Sequence, residues 1–153
     1  MPNPMTAARE ALWDAIDNAA DLSDTFGRKI KGAATEPPWN PLEAGLPDFP
    51  SIEIGPAGTS TASPYTEAKL DAPYPLEVVI FRPDYDLAFY EDVVAKIVLA
   101  AYRQGGSSGV PYVKDATGHP PELRNTSVRR LDRGDLHLMV IALRFDLRVR
   151  LDF

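Results

Sequence analysis

The clearest hydrophobic pattern in the chain lies in its last eighteen residues, Leu136–Phe153 (LHLMVIALRFDLRVRLDF). An apolar stretch reaches Leu143, and from there positions alternate. Leu143, Phe145, Leu147, Val149, Leu151 and Phe153 fall on one side; Arg144, Asp146, Arg148, Arg150 and Asp152 fall on the other. A period of two predicts a β-strand with one buried and one wet face. Fully extended it would span roughly 60 Å at about 3.3 Å per residue. A compact body of this chain length is only roughly 40 Å across. Such a strand has to bend, break or reach beyond the body, and reaching beyond suits a chain that joins neighbours.

The remaining pattern predicts the order α, β, β, α, β, β. A helix capped by Thr6 runs to about Ala20 with Leu12, Trp13, Ile16 and Ala20 as its apolar stripe. Leu22, Phe26 and Ile30 recur at helical spacing after Ser23, so a short second helix is expected, ending at Gly32. Residues 33–51 read as a Pro-rich loop pinned by Trp39 and Phe49. Ser51–Ile54 reads as a short strand stopped by Gly55-Pro56, and 57–75, rich in Ser, Thr, Ala and Pro, as a long loop or extended arm. Leu76–Arg82 is an apolar strand. Asp84 or Asp86 then caps a helix to Gln104 whose inner face is Leu87, Tyr90, Val94, Ile97, Val98 and Ala101. A second long loop, 105–121, leads to a hairpin of Leu123–Asp132 and the terminal strand around Arg133-Gly134-Asp135. That tripeptide also matches an integrin-ligand motif, but its residues are those a tight turn demands. The expected class is α+β: one domain over 1–153, with helices on one face of a mostly antiparallel sheet.

Composition narrows the function. The net charge is −6, with 11 acids and 5 bases in residues 1–75 against 11 of each in 76–153. No basic excess is present to hold a nucleic-acid backbone, so sequence-specific nucleic-acid binding is disfavoured. Cysteine is absent, which removes disulfides, thiolate nucleophiles and Cys-based zinc sites. That absence fits synthesis in a cytoplasm, and neither a signal-peptide core nor a membrane-length apolar run is visible. The two histidines, His119 and His137, lack metal-ligand spacing, and Asp84, Asp86 and Asp92 are explained by the helix start they surround. Ser60, Ser63, Ser107 and Ser108 lie outside any nucleophile elbow, and GPAGTS and GGSSG lack the lysine of a phosphate loop. The reading is therefore a non-enzyme with no catalytic, cofactor-binding or metal residues.

The charged side of the terminal strand remains. A solvated sheet face is the common explanation for such residues. The strand's length and its mixed charges favour a subunit interface formed by Arg144, Asp146, Arg148, Arg150 and Asp152.

The segment LEVVIFRPDYDLAFYEDVVAKIVLAAYRQ, a strand turning through a DYD turn into an amphipathic helix, is followed by a hairpin and the alternating strand ALRFDLRVRLDF. In this order the chain resembles the tail terminator (tail-completion, neck) proteins of long-tailed bacteriophages. The resemblance implies a small subunit of a homo-oligomeric ring, usually a hexamer. Such a ring caps the tail tube, stops its polymerisation and provides the head-docking surface. It further implies contacts with the tail tube protein and with neck or connector proteins, with a sheath as an additional contact. DNA would pass through the lumen without sequence-specific binding. No cofactor and no membrane are involved, and the location would be the virion tail or neck after synthesis in the host cytoplasm. The segments 33–51 and 57–75 depart from the family. Alternatives are another neck component (a head-completion or connector protein) and, in a different class, a small ligand-binding or enzymatic α/β domain.

Overall fold

The computed structural model describes residues 3–19, 22, 24–30, 45, 48–57, 69–102 and 121–152. Its elements are α1 (Pro4–Asp17), β1 (Arg28–Ile30), β2 (Ser51–Pro56), β3 (Lys69–Pro83), α2 (Leu87–Tyr102), β4 (Glu122–Arg133) and β5 (Leu136–Asp152). The strands form one sheet in the order β1-β2-β3-β5-β4. β1 is parallel to β2, and every other pairing is antiparallel. Both helices pack on one face, giving the expected α+β architecture.

α1 begins earlier than the pattern suggests, because Asn3 and not Thr6 is its cap. The Asn3 side chain accepts from the backbone N–H of Met5 at 2.9 Å and of Thr6 at 3.4 Å, with Pro4 at the first helical position. Leu12, Trp13, Ile16 and Ala19 are buried as a stripe. The expected second helix does not form. Leu22 is buried through a turn, and Ile30 belongs to β1, beside β2. Apolar residues four apart suit a helix, but Gly27 interrupts it and the open edge of β2 offers the backbone a ladder instead.

β3 begins at Lys69, seven residues before the predicted strand, so the second half of the expected arm is part of the sheet. Pro73 and Pro75 argued against a strand because proline cannot donate to a ladder. The structure shows why they are harmless. The N–H of Ala57 donates to the carbonyl of Pro75 at 2.9 Å, so the backbone of Pro75 faces β2 and not β5. Pro73 and Pro83 share its parity, and the β2 ladder covers only Leu76–Phe81 of β3. All three rings thus face positions where no donor is needed. The rest of the arm, 58–68, lies outside the described residues, as do most of 33–51, including Trp39, and 105–120.

β5 resolves its own length problem. It is one strand of 17 residues paired to β3 from Leu138 to Asp152. β2 and β4 accompany this pair only as far as Leu76 and Asp146, so among the described residues Lys69–Pro75 and Leu147–Asp152 continue as a two-stranded ribbon. The base of the ribbon is still core: Phe145, Leu147 and Val149 are buried with Leu12, Ile16, Ile97 and Leu143. The apolar side of β5 therefore stays buried well past the point where its charged positions begin, through Val149.

α2 is capped by Asp86, whose Oδ1 accepts from the N–H of Ala88 and of Phe89 at 3.0 and 3.3 Å. It buries Val93, Ile97, Ala100 and Ala101, a face rotated from the predicted one, and Leu87 is exposed. The Tyr102 hydroxyl accepts from the Leu123 N–H at 2.9 Å and ties the helix end to β4. Gly134 closes the β4–β5 turn at φ 59°, the left-handed value glycine tolerates best.

Because alternation decides burial, neighbouring residues of β5 should differ sharply in value. Phe145→Ala should destabilise by about 3–5 kcal/mol. Arg144→Ala, one position away, should change stability by less than about 1 kcal/mol. Urea unfolding midpoints of the two variants check the contrast.

Candidate interaction surface

The sheet face away from the helices carries the nominated residues. From β2 to β4 it presents Glu53, Glu77, Arg144 and Asn125, and farther along β5 come Asp146 and the even positions of the ribbon. At the opposite end of the same face a small apolar group forms, with Phe81, Leu138 and Val140 buried under partly buried Phe49, Val79, Leu131 and Leu136. The expected anchoring by Phe49 is thus present. This face is not uniformly wet: Ser51 and Gly55 are buried on it and Glu53 is half-buried.

Asp146 is the centre of the charged part. Its two oxygens are divided between Arg124 Nε (3.0 Å) and Arg144 Nε (3.4 Å), and Arg124 also reaches Glu122 at 3.3 Å. Arg124 sits at the register shift between Leu123 and Asn125, and that bulge turns it toward Asp146. Exposed ion pairs of this kind contribute about 0–1 kcal/mol each, so they orient side chains more than they hold the fold.

The ladder matches the remaining charges by position. Arg144 stands opposite Glu77, Arg150 opposite Asp71 and Asp152 opposite Lys69, whereas Arg148 stands opposite Pro73. Cross-strand opposite charges directly facing one another are favourable. Arg148 has no such counterpart in the β3–β5 register. The five nominated residues therefore share one side of one strand, but Arg148 alone stands opposite neither a counter-charge in the β3–β5 ladder nor, among the described residues, a second ladder.

Sequence reading missed three contributors. Glu53 and Glu77 form an acidic pair on adjacent strands, visible in retrospect as the polar members of SIEI and LEVVI. The carboxyl of Glu53 is pushed above the usual carboxylate range, first by burial and then by the charge of Glu77. Arg124 lies in a strand without a clean period. Leu87 and Leu99, 53% and 65% exposed, leave the outer side of α2 partly apolar.

The β3–α2 corner holds two open depressions. One, of about 470 Å3, is flanked by Phe49, Arg82 and Phe89, with the Arg82 guanidinium 5.0 Å from the Phe89 ring centre and bonded to the carbonyls of Pro83 and Asp84. The other, of about 260 Å3, is lined by Asp84, Tyr85, Arg130, Asp132, His137 and Leu138. There His137 Nδ1 lies 2.7 Å from Asp132 Oδ1, both well exposed, and Arg130 stacks on Tyr85 at 5.0 Å. No hydroxyl or thiol nucleophile of Ser, Thr or Cys type lines this second depression among the described residues. Among the described residues no group of three or more His, Asp or Glu could hold a metal ion, and no helix is long and apolar enough to cross a membrane.

No family model and no curated protein matches the sequence. Among solved structures, a chain from the virion of a native gene transfer agent particle superposes with a TM-score of 0.57 over 92% of this chain and 93% of that one, at 13% identity. The bacteriophage SPP1 gp17 protein covers 94% of this chain and 90% of its own at 12% identity, with a TM-score of 0.44. The gene transfer agent likeness is one of fold, and it extends over nearly all of both chains.

The Glu53–Glu77 pair gives a signed pH effect. A carboxyl whose folded pKa is raised favours folding when protonated; that contribution is present below its unfolded pKa and lost as pH rises through the folded value. Glu53→Gln should therefore stabilise the chain at pH 7, and the gain should shrink as pH falls through the raised folded value and be largely gone below 4.5, the unperturbed value. Denaturation midpoints of the variant and the parent at pH 7 and pH 4 measure this. A gain that grew in acid would refute the assignment.

Proposed function

We propose that this chain is a structural virion protein acting as a tail terminator. It is a subunit of a homo-oligomeric ring, a hexamer, that caps the tail tube, stops its polymerisation and presents the surface on which the head docks. The observation that carries this reading is the fold shared with a gene transfer agent virion chain over 92% of the sequence. Three features of the chain support it. A paired ribbon extends past the rest of the sheet. The outer side of α2 keeps Leu87 and Leu99 exposed, as a surface buried on assembly would. The charges of the sheet lie in opposed pairs across strands, which suits a part that works by shape and complementarity.

In the ring, the charged side of β5, comprising Arg144, Asp146, Arg148, Arg150 and Asp152, faces the adjacent subunit. The axial partners are the tail tube protein on one side and neck or connector proteins on the other. A net charge of −6 suits DNA passing through the lumen without being held.

Arg148→Glu combined with Arg150→Glu should abolish the ring while leaving the subunit folded, read by negative-stain microscopy and light scattering on tube ends. A ring that survives both reversals removes this face from the interface. Particles lacking the gene should carry tubes of uncontrolled length, and normal tails would overturn the terminator reading.

A further inference from the structure

The two edges of the ribbon differ. Along β3 the edge is closed: Pro73 and Pro75 turn ring atoms, not donors, outward, which is how natural sheets block strand addition. Along β5 it is open. The β4 ladder stops at Glu122↔Asp146, whereas the β3 ladder continues to Lys69↔Asp152, so among the described residues Leu147–Asp152 has one neighbour only. Pro120 and Pro121 precede Glu122, and successive residues face opposite sides, so one of the two would offer no N–H to a continued β4 ladder.

The direction of each backbone group follows from one hydrogen bond. The N–H of Asp84, at the end of β3, donates to the carbonyl of His137 at 3.0 Å, so odd residues of β5 face β3. The register to β3 is continuous from Leu138 to Asp152, so Arg148, Arg150 and Asp152 each direct an N–H and a C=O to the open edge.

We infer that this edge pairs antiparallel with the same edge of a second copy of the chain, centred on Arg150. In that register Arg148 lies opposite Asp152 of the second copy, twice, and Val149 lies opposite Leu151, twice. The three N–H and three C=O groups of each copy are all satisfied. Arg150 meets its own symmetry mate at the axis, with Asp71 opposite it on β3 in each copy. A shift of two residues one way sets Asp146 against Asp152 and Arg148 against Arg150, which repel; the other way leaves Arg148 without a partner. The charge pattern therefore selects one register, and it sets Arg148 opposite an acid where the β3 ladder sets it opposite Pro73. A two-fold contact closes at two copies and does not propagate around a ring. The dimer is thus a form of the chain away from the tail, and the inference stands on the ladder whether or not the ring reading holds.

The contact is small and its dissociation constant is expected on the order of 100 μM. Sedimentation equilibrium of the full chain, from micromolar to millimolar concentration, should show a monomer–dimer equilibrium. Arg150→Pro removes a donor only from the open edge and should weaken the dimer by roughly tenfold or more, with an unchanged far-UV circular dichroism spectrum. The cysteine-free sequence provides an independent readout. A single Arg150→Cys variant should be captured as a dimer by a short bis-maleimide, whereas Ser127→Cys on the exposed edge strand β4 should not. If Arg150→Pro unfolds the chain, the cross-linking pair decides. A strictly monomeric parent at millimolar concentration, an assembly that folded Arg150→Pro leaves intact, or equal capture at the two cysteine positions overturns the inference.

Discussion

β5 has β3 beside it along nearly its whole length, and the rest of the molecule depends on that ladder. The pairing from Leu138↔Pro83 to Asp152↔Lys69 sets which side of each strand faces the helices. A slip of one residue would turn Leu143, Phe145, Leu147 and Val149 out to water and bring Arg144, Asp146 and Arg148 under α1 and α2. Burial of the apolar set and exclusion of the charged set thus fix the same register. The helices, β2 and β4 are then placed by what the ladder leaves uncovered. Asn3 and Asp86 add local starts for the two helices, but the face on which those helices settle is decided by the strands.

Much of this was legible in the sequence where one local rule acted alone. The period of β5 announces a strand with two unlike faces, and Asp86 followed by an amphipathic run announces a capped helix. Reading failed where a rule needed to know its neighbour. Pro73 and Pro75 look like breakers until it is known that β2 ends beside them, after which neither position needs a donor toward β5. Leu22, Phe26 and Ile30 satisfy a helical spacing, yet a three-residue strand next to β2 satisfies them too. For the candidate surface, sequence located the five residues on one side of one strand. It could not show that Glu77, Asp71 and Lys69 stand opposite three of them, because register is a property of two segments at once. Arg124 was invisible because a bulge, not a period, aims it at Asp146.

The surface chemistry is one of paired charges. On the sheet they are distributed in opposed pairs across strands, and exposed apolar residues, Leu87 and Leu99, sit on a helix already packed on its other side. Tight recognition by such a surface comes from fit repeated over several contacts, with the ion pairs choosing register and partner. The acidic pair Glu53–Glu77 is an exception, since burial of like charges lowers stability at neutral pH.

The placement of β5 between β3 and β4 also orders events in time. β3 and β4 never touch in the ladder except through β5, and β5 follows both in the chain. During synthesis the inner sides of β3, α1 and α2 therefore wait, apolar and uncovered, for a strand that has not yet emerged. Their contacts with it are distant in sequence, the kind that forms slowly and leaves intermediates prone to aggregate. A nascent chain of this topology keeps that apolar surface uncovered until β5 is inserted.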